Sequence, residues 1–333
     1  FSMSGLIKIN AKRVIRYILI SVLLLGLTIV GLRSFLSLAI DNRYQKDQII
    51  ANMQLMKNLV PEQVFVAPPP EIPALPADQN RLRIIEQRGA LRACYWSDNL
   101  PFAYFNKADD LVGFDIELLH HLAYDLKVEL VLVPVVRREL TRDLNRGYCD
   151  IGIGTLITPA NALKAGFSVP YINLTGAFLV RDHRRGDFSS REAMQQLEAP
   201  RIAMVPQRYY AAKLRGHLPQ AEMVEVTSTR DFIENWSDRL DAMVTTAEGA
   251  AAWSLLHPQF SAVIPASDTI RLPVAFPLPK DEEGLEDFLK IWIDLKNKDG
   301  TIDDLYGYWV LGKQDKHRQP RWSVIRDVLH WVE

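Results

Sequence analysis

The chain has 333 residues, 48% of them apolar and 24% charged, with a formal net charge of −1. That composition excludes a disordered chain, and the balanced charge gives no basic excess for nucleic acid and no acidic solvating tail. The length allows two medium-sized domains or one large two-lobed one.

In chain order, residues 1–16 form a basic flank carrying Lys8, Lys12, Arg13 and Arg16. Residues 17–32 are nearly all apolar, and after Arg33 the apolar character resumes to Ile40. A helix over residues 17–40 is long enough to cross a hydrocarbon core of about 30 Å. Arg33 lies near its end, where the side chain can snorkel. The positive-inside rule puts the flank in the cytoplasm and everything after Ile40 in the periplasm or outside the cell, so the expectation is an inner-membrane protein. A cleaved signal peptide is the rival reading, since Ser37-Leu38-Ala39 weakly resembles a cleavage site. The apolar stretch is longer than a usual signal-peptide core, and the chain begins with Phe1. Both favour an uncleaved anchor within a longer polypeptide.

Residues 41–60 place Ile49, Ile50, Met53, Met56 and Val60 along one helical face and read as a juxtamembrane stalk. Residues 61–80 carry Pro61, Pro68, Pro69, Pro70, Pro73 and Pro76. That density reads as an extended linker and as the clearest domain boundary. Beyond it, strands and helices alternate. Residues 91–96, 128–136 and 150–154 are strand-like, and residues 115–126 are a helix with Ile116, Leu119, Ala123 and Leu126 on one side. After Arg181 the alternation restarts, with strands at 201–205, 222–226 and 242–245 and helices at 209–214, 229–236 and 249–256. Residues 270–277 are again strand-like, and 284–296 form an amphipathic helix. Such βαβ alternation predicts an α/β fold of parallel sheets flanked by helices. The tail, residues 314–333, sets Trp322, Ile325, Val328, Leu329, Trp331 and Val332 among charges. It is either an amphipathic helix packed back on a lobe or a membrane-surface contact. Cys94 and Cys149 have no metal-like spacing. The simplest reading is two buried, unrelated thiols, with a disulfide as the alternative in an oxidising compartment. No metal or cofactor is expected.

Ordered motifs sharpen the picture. Leu100-Pro101-Phe102-Ala103-Tyr104-Phe105 precedes Leu111-Val112-Gly113-Phe114-Asp115-Ile116-Glu117-Leu118. Leu144-Asn145-Arg146-Gly147-Tyr148-Cys149-Asp150-Ile151 follows, then Gly154-Thr155-Leu156-Ile157-Thr158-Pro159 and Phe167-Ser168-Val169-Pro170-Tyr171. The last is Leu295-Lys296-Asn297-Lys298-Asp299-Gly300-Thr301-Ile302, ending Tyr308-Trp309. Together these resemble the family-3 extracellular solute-binding proteins. The resemblance covers residues 81–313 and implies a two-lobed type II periplasmic binding protein fold with two crossover strands. Lobe 1 would comprise 81–177 and 274–313, and lobe 2 would comprise 178–273. Ligand would sit in the cleft and close the lobes by hinge bending.

The resemblance also implies site residues. Where amino-acid receptors of that family clamp the ligand carboxylate with an arginine, this chain has Asn161, after Thr158. A hydroxyl usually found two residues before that threonine is Leu156, and an aspartate that holds the ligand ammonium falls at Thr245 or Thr246. These residues cannot pair with the charges of a zwitterion. Arg137, where an aromatic residue is common, and Arg208 with Tyr209, at the start of the first lobe-2 helix, are the compensating candidates. Alternatively, Arg137 is a solvated loop charge near Arg138 and Arg142, and Arg208 a surface charge. Trp96 and Phe102 are candidate aromatic cleft walls or ordinary core. His120 and His121 read as core or surface residues rather than metal ligands, and Asp115 and Glu117 as a structural acidic pair. The ligand-binding set is Trp96, Phe102, Arg137, Thr155, Thr158, Asn161, Arg208, Tyr209 and Thr246, and the expected ligand is a small organic carboxylate or amino-acid-like anion.

The leading expectation is a membrane-tethered solute receptor serving a transporter domain in the same or a partner polypeptide, with no catalysis and no nucleic acid. The stretch up to Met56 weakly resembles the junction of sodium:dicarboxylate symporter fusions. A signalling receptor domain is the second class. A dehydratase is the third; it would need a general acid facing the cleft, for which Glu248 is the candidate.

Overall fold

The computed structural model describes residues 11–41, 46–68, 80–206, 208–266 and 270–313. The first ten residues, most of the proline-rich stretch and the tail after residue 313 lie outside them. The chain divides into two units, Phe1–Ile49 and Ile50–Glu333.

In the first unit the helix Ala11–Asp41 is 31 residues long. Its side chains are described over residues 15–31, where the consecutive Tyr17, Ile18, Leu19 and Ile20 are all exposed. Successive helical positions turn by about 100°, so apolar surface faces outward on every side. Among the described residues no helix is long and apolar enough to cross a membrane. The span expected over residues 17–40 extends past the side chains described.

The second unit has two α/β lobes. Lobe 1 is built on a parallel sheet in the order Glu62–Val64, Glu129–Pro134, Ala90–Tyr95, Ile151–Gly152. The apolar run that reads as a buried strand is the second of these. The helix Phe114–Leu126 crosses between the third and second strands, with Asp115 and Glu117 in its first turn, where carboxylates suit the helix dipole. Gly113 precedes it at φ 137°, and a Cβ there would collide with the Phe102 carbonyl. That close approach lets Asp115 N donate to Phe102 O at 2.9 Å and fixes the loop carrying Phe102. The helices Glu283–Lys298 and Thr301–Trp309 return to this lobe, where Trp309 Nε1 donates to Glu117 Oε2 at 2.7 Å.

Lobe 2 contributes Glu222–Glu225, Arg201–Met204, Ala242–Thr246 and Phe260–Val263 to a sheet that continues into Ile172–Arg181, Arg271–Ala275 and Thr155–Leu156. Ile172–Arg181 and Arg271–Ala275 are the two crossover strands. They run antiparallel, with Thr175 opposite Arg271 and Ile172 opposite Val274.

Residues 50–66 differ from the expected stalk and linker. Ile50, Met53 and Val60 are buried in the lobe-1 core, and Glu62–Val64 is a strand of its sheet. Tyr104 Oη donates to Ile50 O at 2.9 Å, Asn106 Nδ2 to Met53 O at 3.0 Å, and Tyr95 Oη to Phe65 O at 2.7 Å. Pro61 is tolerated because it stands just before the strand, where its carbonyl accepts from Leu130 N at 3.0 Å and no N–H is needed. The spacing of Ile50, Met53 and Val60 thus marks a face packed on the lobe, not a free stalk. The reading of unrelated thiols is likewise corrected. Cys94 and Cys149 are disulfide-bonded, with Cα atoms 5.7 Å apart. The sheet register that places Cys94 opposite Gly152 brings the two together.

Candidate functional site

A cavity of about 330 Å³ lies between the lobes and the crossover strands. Lobe 1 contributes Trp96, Asp98, Asn99, Phe102, Asp115 and Arg137 to its wall, and lobe 2 contributes Thr227, Ser228, Thr245, Thr246 and Trp253. The strand Ala90–Tyr95 ends at the cavity, so Trp96 follows directly onto the wall.

The Arg137 guanidinium carbon is 5.4 Å from the centroid of the Trp96 ring. Burial lowers the Arg137 pKa, and the charge of Asp98 opposes that shift. Trp96 Nε1 is buried with no hydrogen-bond partner among the described residues. Asp98 Oδ1 instead accepts from Arg230 Nε at 3.3 Å, an ion pair that joins the two lobes. Arg230 in turn lies over Trp253, 5.1 Å from its ring centroid.

Asp115 accepts from Tyr171 Oη at 2.6 Å and from Gly154 N at 3.1 Å. Burial pushes its carboxyl up to about 7, because these two hydrogen bonds only partly offset desolvation. A Cβ at Gly154 would fall on the Tyr171 hydroxyl, so glycine is what permits this approach. On the lobe-2 side, Thr246 ends its strand and caps the helix Ala247–Leu256, accepting from Gly249 N at 3.1 Å. The positive end of that helix therefore opens at the cavity.

Of the residues singled out from the sequence, Trp96, Phe102, Arg137 and Thr246 stand together on the wall, as does Leu156. Thr155, Thr158, Asn161 and Tyr209 do not line it. Thr155 Oγ1 donates to Ile153 O at 3.3 Å. Thr158 is buried as the cap of the short helix Pro159–Ala162, where Oγ1 accepts from Asn161 N at 3.2 Å. Tyr209 is exposed, with the Lys213 ammonium 4.9 Å from its ring centroid. The Arg208 side chain lies outside the described residues. Glu248 is also off the wall. Its carboxylate accepts from Thr175 N at 3.3 Å and from Tyr306 Oη at 3.5 Å, and burial pushes it up to about 7. Sequence reasoning missed Asp98, Asn99 and the wall position of Asp115. The signal for Asp115 was present, since its motif follows a glycine that brings the helix start against the Phe102 loop.

The sequence profile of the bacterial extracellular solute-binding proteins, family 3, matches residues 91–312. Cyclohexadienyl dehydratase of Pseudomonas aeruginosa is 26% identical over 241 residues, which are 71% of this chain and 88% of that protein. The crystal structure of an ancestral amino-acid-binding protein, described as a precursor of cyclohexadienyl dehydratase, is 30% identical with a TM-score of 0.60 and covers 68% of this chain and 98% of its own. An amino-acid ABC transporter substrate-binding protein of Streptococcus pneumoniae, bound to L-arginine, shares the fold at a TM-score of 0.60 and 21% identity, over 67% of this chain and 95% of its own. The expectation that the domain has no catalytic activity is overturned here, because a relative matched over most of its length is a dehydratase. The chain belongs to the bacterial extracellular solute-binding proteins, family 3.

Proposed function

We propose that the chain is a membrane-tethered, extracytoplasmic receptor that captures a small organic anion between its lobes for delivery to a transporter. The observation that carries this reading is an imbalance on the cavity wall. Arg137, the Trp96 indole N–H and the start of the helix Ala247–Leu256 offer positive or donor groups. The acidic groups are committed elsewhere: Asp98 to Arg230, and Asp115 to Tyr171 and Gly154. A carboxylate gains charge-assisted hydrogen bonds in such a site, while a ligand ammonium, among the described residues, meets only carboxyls that already have protein partners. The Cys94–Cys149 disulfide suits an oxidising, extracytoplasmic compartment. The apolar stretch 17–40, whose side chains over residues 17–31 face outward, suits a membrane anchor. Calorimetry with the 333-residue chain tests the ligand class. Organic carboxylates are expected to bind, and Arg137→Gln is expected to weaken them by about tenfold or more. Tight binding of a zwitterionic amino acid with no response to any carboxylate would sink the reading.

A second reading is favoured by one observation, the similarity to cyclohexadienyl dehydratase. In it, Asp115 takes the role of general acid, since a carboxyl pushed up to about 7 on the cavity wall is protonated in roughly half of the molecules at neutral pH. It would protonate the leaving ring hydroxyl, which departs as water while the ring carboxylate leaves as carbon dioxide and the electron pair of that broken C–C bond completes the aromatic ring. Turnover of prephenate or arogenate that disappears in Asp115→Asn is the expected result. An inactive wild-type chain retires this reading.

A further inference from the structure

Three neighbouring strands give the cavity a floor of one chemical kind. Thr155–Leu156 pairs with Arg271–Ala275, which pairs with Ile172–Arg181. The register sets Val274 opposite Leu156 and Leu272 opposite Leu174. Residues 272 and 274 lie two apart on one strand and so share a face. Cross-strand partners share that face too, so Leu156, Leu174, Leu272 and Val274 form one continuous hydrocarbon surface. All four line the cavity, with Phe102 and Trp253 also on its wall.

Arg137 is the wall's one arginine or lysine among the described residues, since Arg230 reaches Asp98 from outside the lining. A second ligand carboxylate laid on the leucine surface would meet no cationic partner there and would be desolvated against hydrocarbon. A hydrocarbon body would instead remove that surface from water.

We infer that the cleft takes an amphipathic monoanion, one carboxylate at Arg137 and Trp96 with a ring-sized or branched hydrocarbon body laid on the face formed by Leu156, Leu174, Leu272 and Val274. This rests on the anion reading and names its ligand class. Dicarboxylates and short polar acids are poor fits to the same site.

The test is calorimetry on the full chain reconstituted in lipid nanodiscs, with empty discs as the blank. The probes are 3-phenylpropanoate, propanoate, succinate and L-phenylalanine. The expected order has 3-phenylpropanoate about tenfold or more tighter than both propanoate and succinate, with L-phenylalanine weaker than 3-phenylpropanoate. Leu156→Thr, a strand-compatible change at a partly buried position, is expected to weaken 3-phenylpropanoate by about tenfold and propanoate by much less. A melting curve without ligand checks that this variant is folded. Succinate or propanoate binding as tightly as 3-phenylpropanoate would overturn the inference while the anion reading stands, and so would an unchanged affinity in folded Leu156→Thr. Binding of L-phenylalanine alone, or of no probe carboxylate, would overturn both.

Discussion

The two lobes that close on the cavity are held by different chemistry. Lobe 1 keeps ionisable groups inside. Asp150 is fully buried, where it accepts from Arg88 and, at 2.8 Å, from Arg92 N, with Arg81 Nη1 3.9 Å away. Glu117 is fully buried as well, bound to Trp309 and to Lys57 N at 3.1 Å. In lobe 2 the corresponding pairs lie nearer water. Arg181 meets an exposed Asp238, and Arg201 reaches Glu222 at 3.2 Å across two exposed side chains. The cluster inside that lobe is apolar, with Phe178, Phe188, Ile202 and Leu218, and its buried carboxyl, Glu248, sits at the junction with a crossover strand and lobe 1. A buried ion whose partner is removed is costly, whereas a surface pair is nearly free to lose. Lobe 1 is therefore the lobe whose stability hangs on a few polar residues.

The largest effect should come from Asp150→Ala, which leaves Arg88 beside an empty buried position and is expected to cost about 3–5 kcal/mol. The matched change in lobe 2, Asp238→Ala, should cost at most about 1 kcal/mol. Chemical denaturation of both reads the difference, and equal losses would erase the contrast between the lobes. Next is Met53→Ala, expected to cost about 2–4 kcal/mol if residues 50–66 belong to the lobe-1 core, since Met53 is only 4% exposed. A loss near zero in the same measurement would return that segment to the role of a free stalk.

The junction between the lobes gives a pH signature. Glu248, on a lobe-2 helix, reaches Thr175 on a crossover strand and Tyr306 on a lobe-1 helix. Burial raises its carboxyl from 4.5 to about 7. A carboxyl whose folded pKa is raised binds its proton more tightly in the folded state. Its contribution is full below pH 4.5, falls as pH rises, and is gone above about pH 7. The expected loss across that window is on the order of 1–3 kcal/mol, and Glu248→Gln should flatten the curve of stability against pH there. A variant curve parallel to the wild type would contradict it. The smallest effect on stability belongs to Arg230→Ala, at most about 1 kcal/mol. Its consequence lies in shape. Losing the Asp98 contact should let the lobes part, seen as a larger radius of gyration in small-angle scattering, while an unchanged radius would deny the pair any part in closure.

The alternation of strand and helix was legible because Glu129–Pro134 and Phe114–Leu126 carry their periods plainly. Residues 50–66 were not, because the prolines that follow suggest a spacer. Only the three-dimensional sheet shows that Glu62–Val64 has a partner to pair with. The site was legible in part. Trp96, Phe102, Arg137 and Thr246 lie where strand ends and helix starts meet the cleft, and ordered motifs locate such places. Thr158 caps a helix off the cavity wall, and the sequence does not reveal this because a threonine before Pro159 serves equally well as a cap and spacing does not separate capping from ligand binding. Asp98 was missed because its partner, Arg230, is 132 residues distant in the chain.

The strand Glu62–Val64 has a consequence for anyone trimming this protein. A chain cut to begin at residue 81, where the prolines suggest a boundary, would strip the outermost strand from the lobe-1 sheet. Glu129–Pro134 would then present unpaired backbone amides and carbonyls along a Leu- and Val-rich segment, and Ile50, Met53 and Val60 would leave their cover off the core. Such an edge invites pairing with another chain, so the shortened protein is predisposed to aggregate through the lobe that otherwise carries the strongest internal bracing.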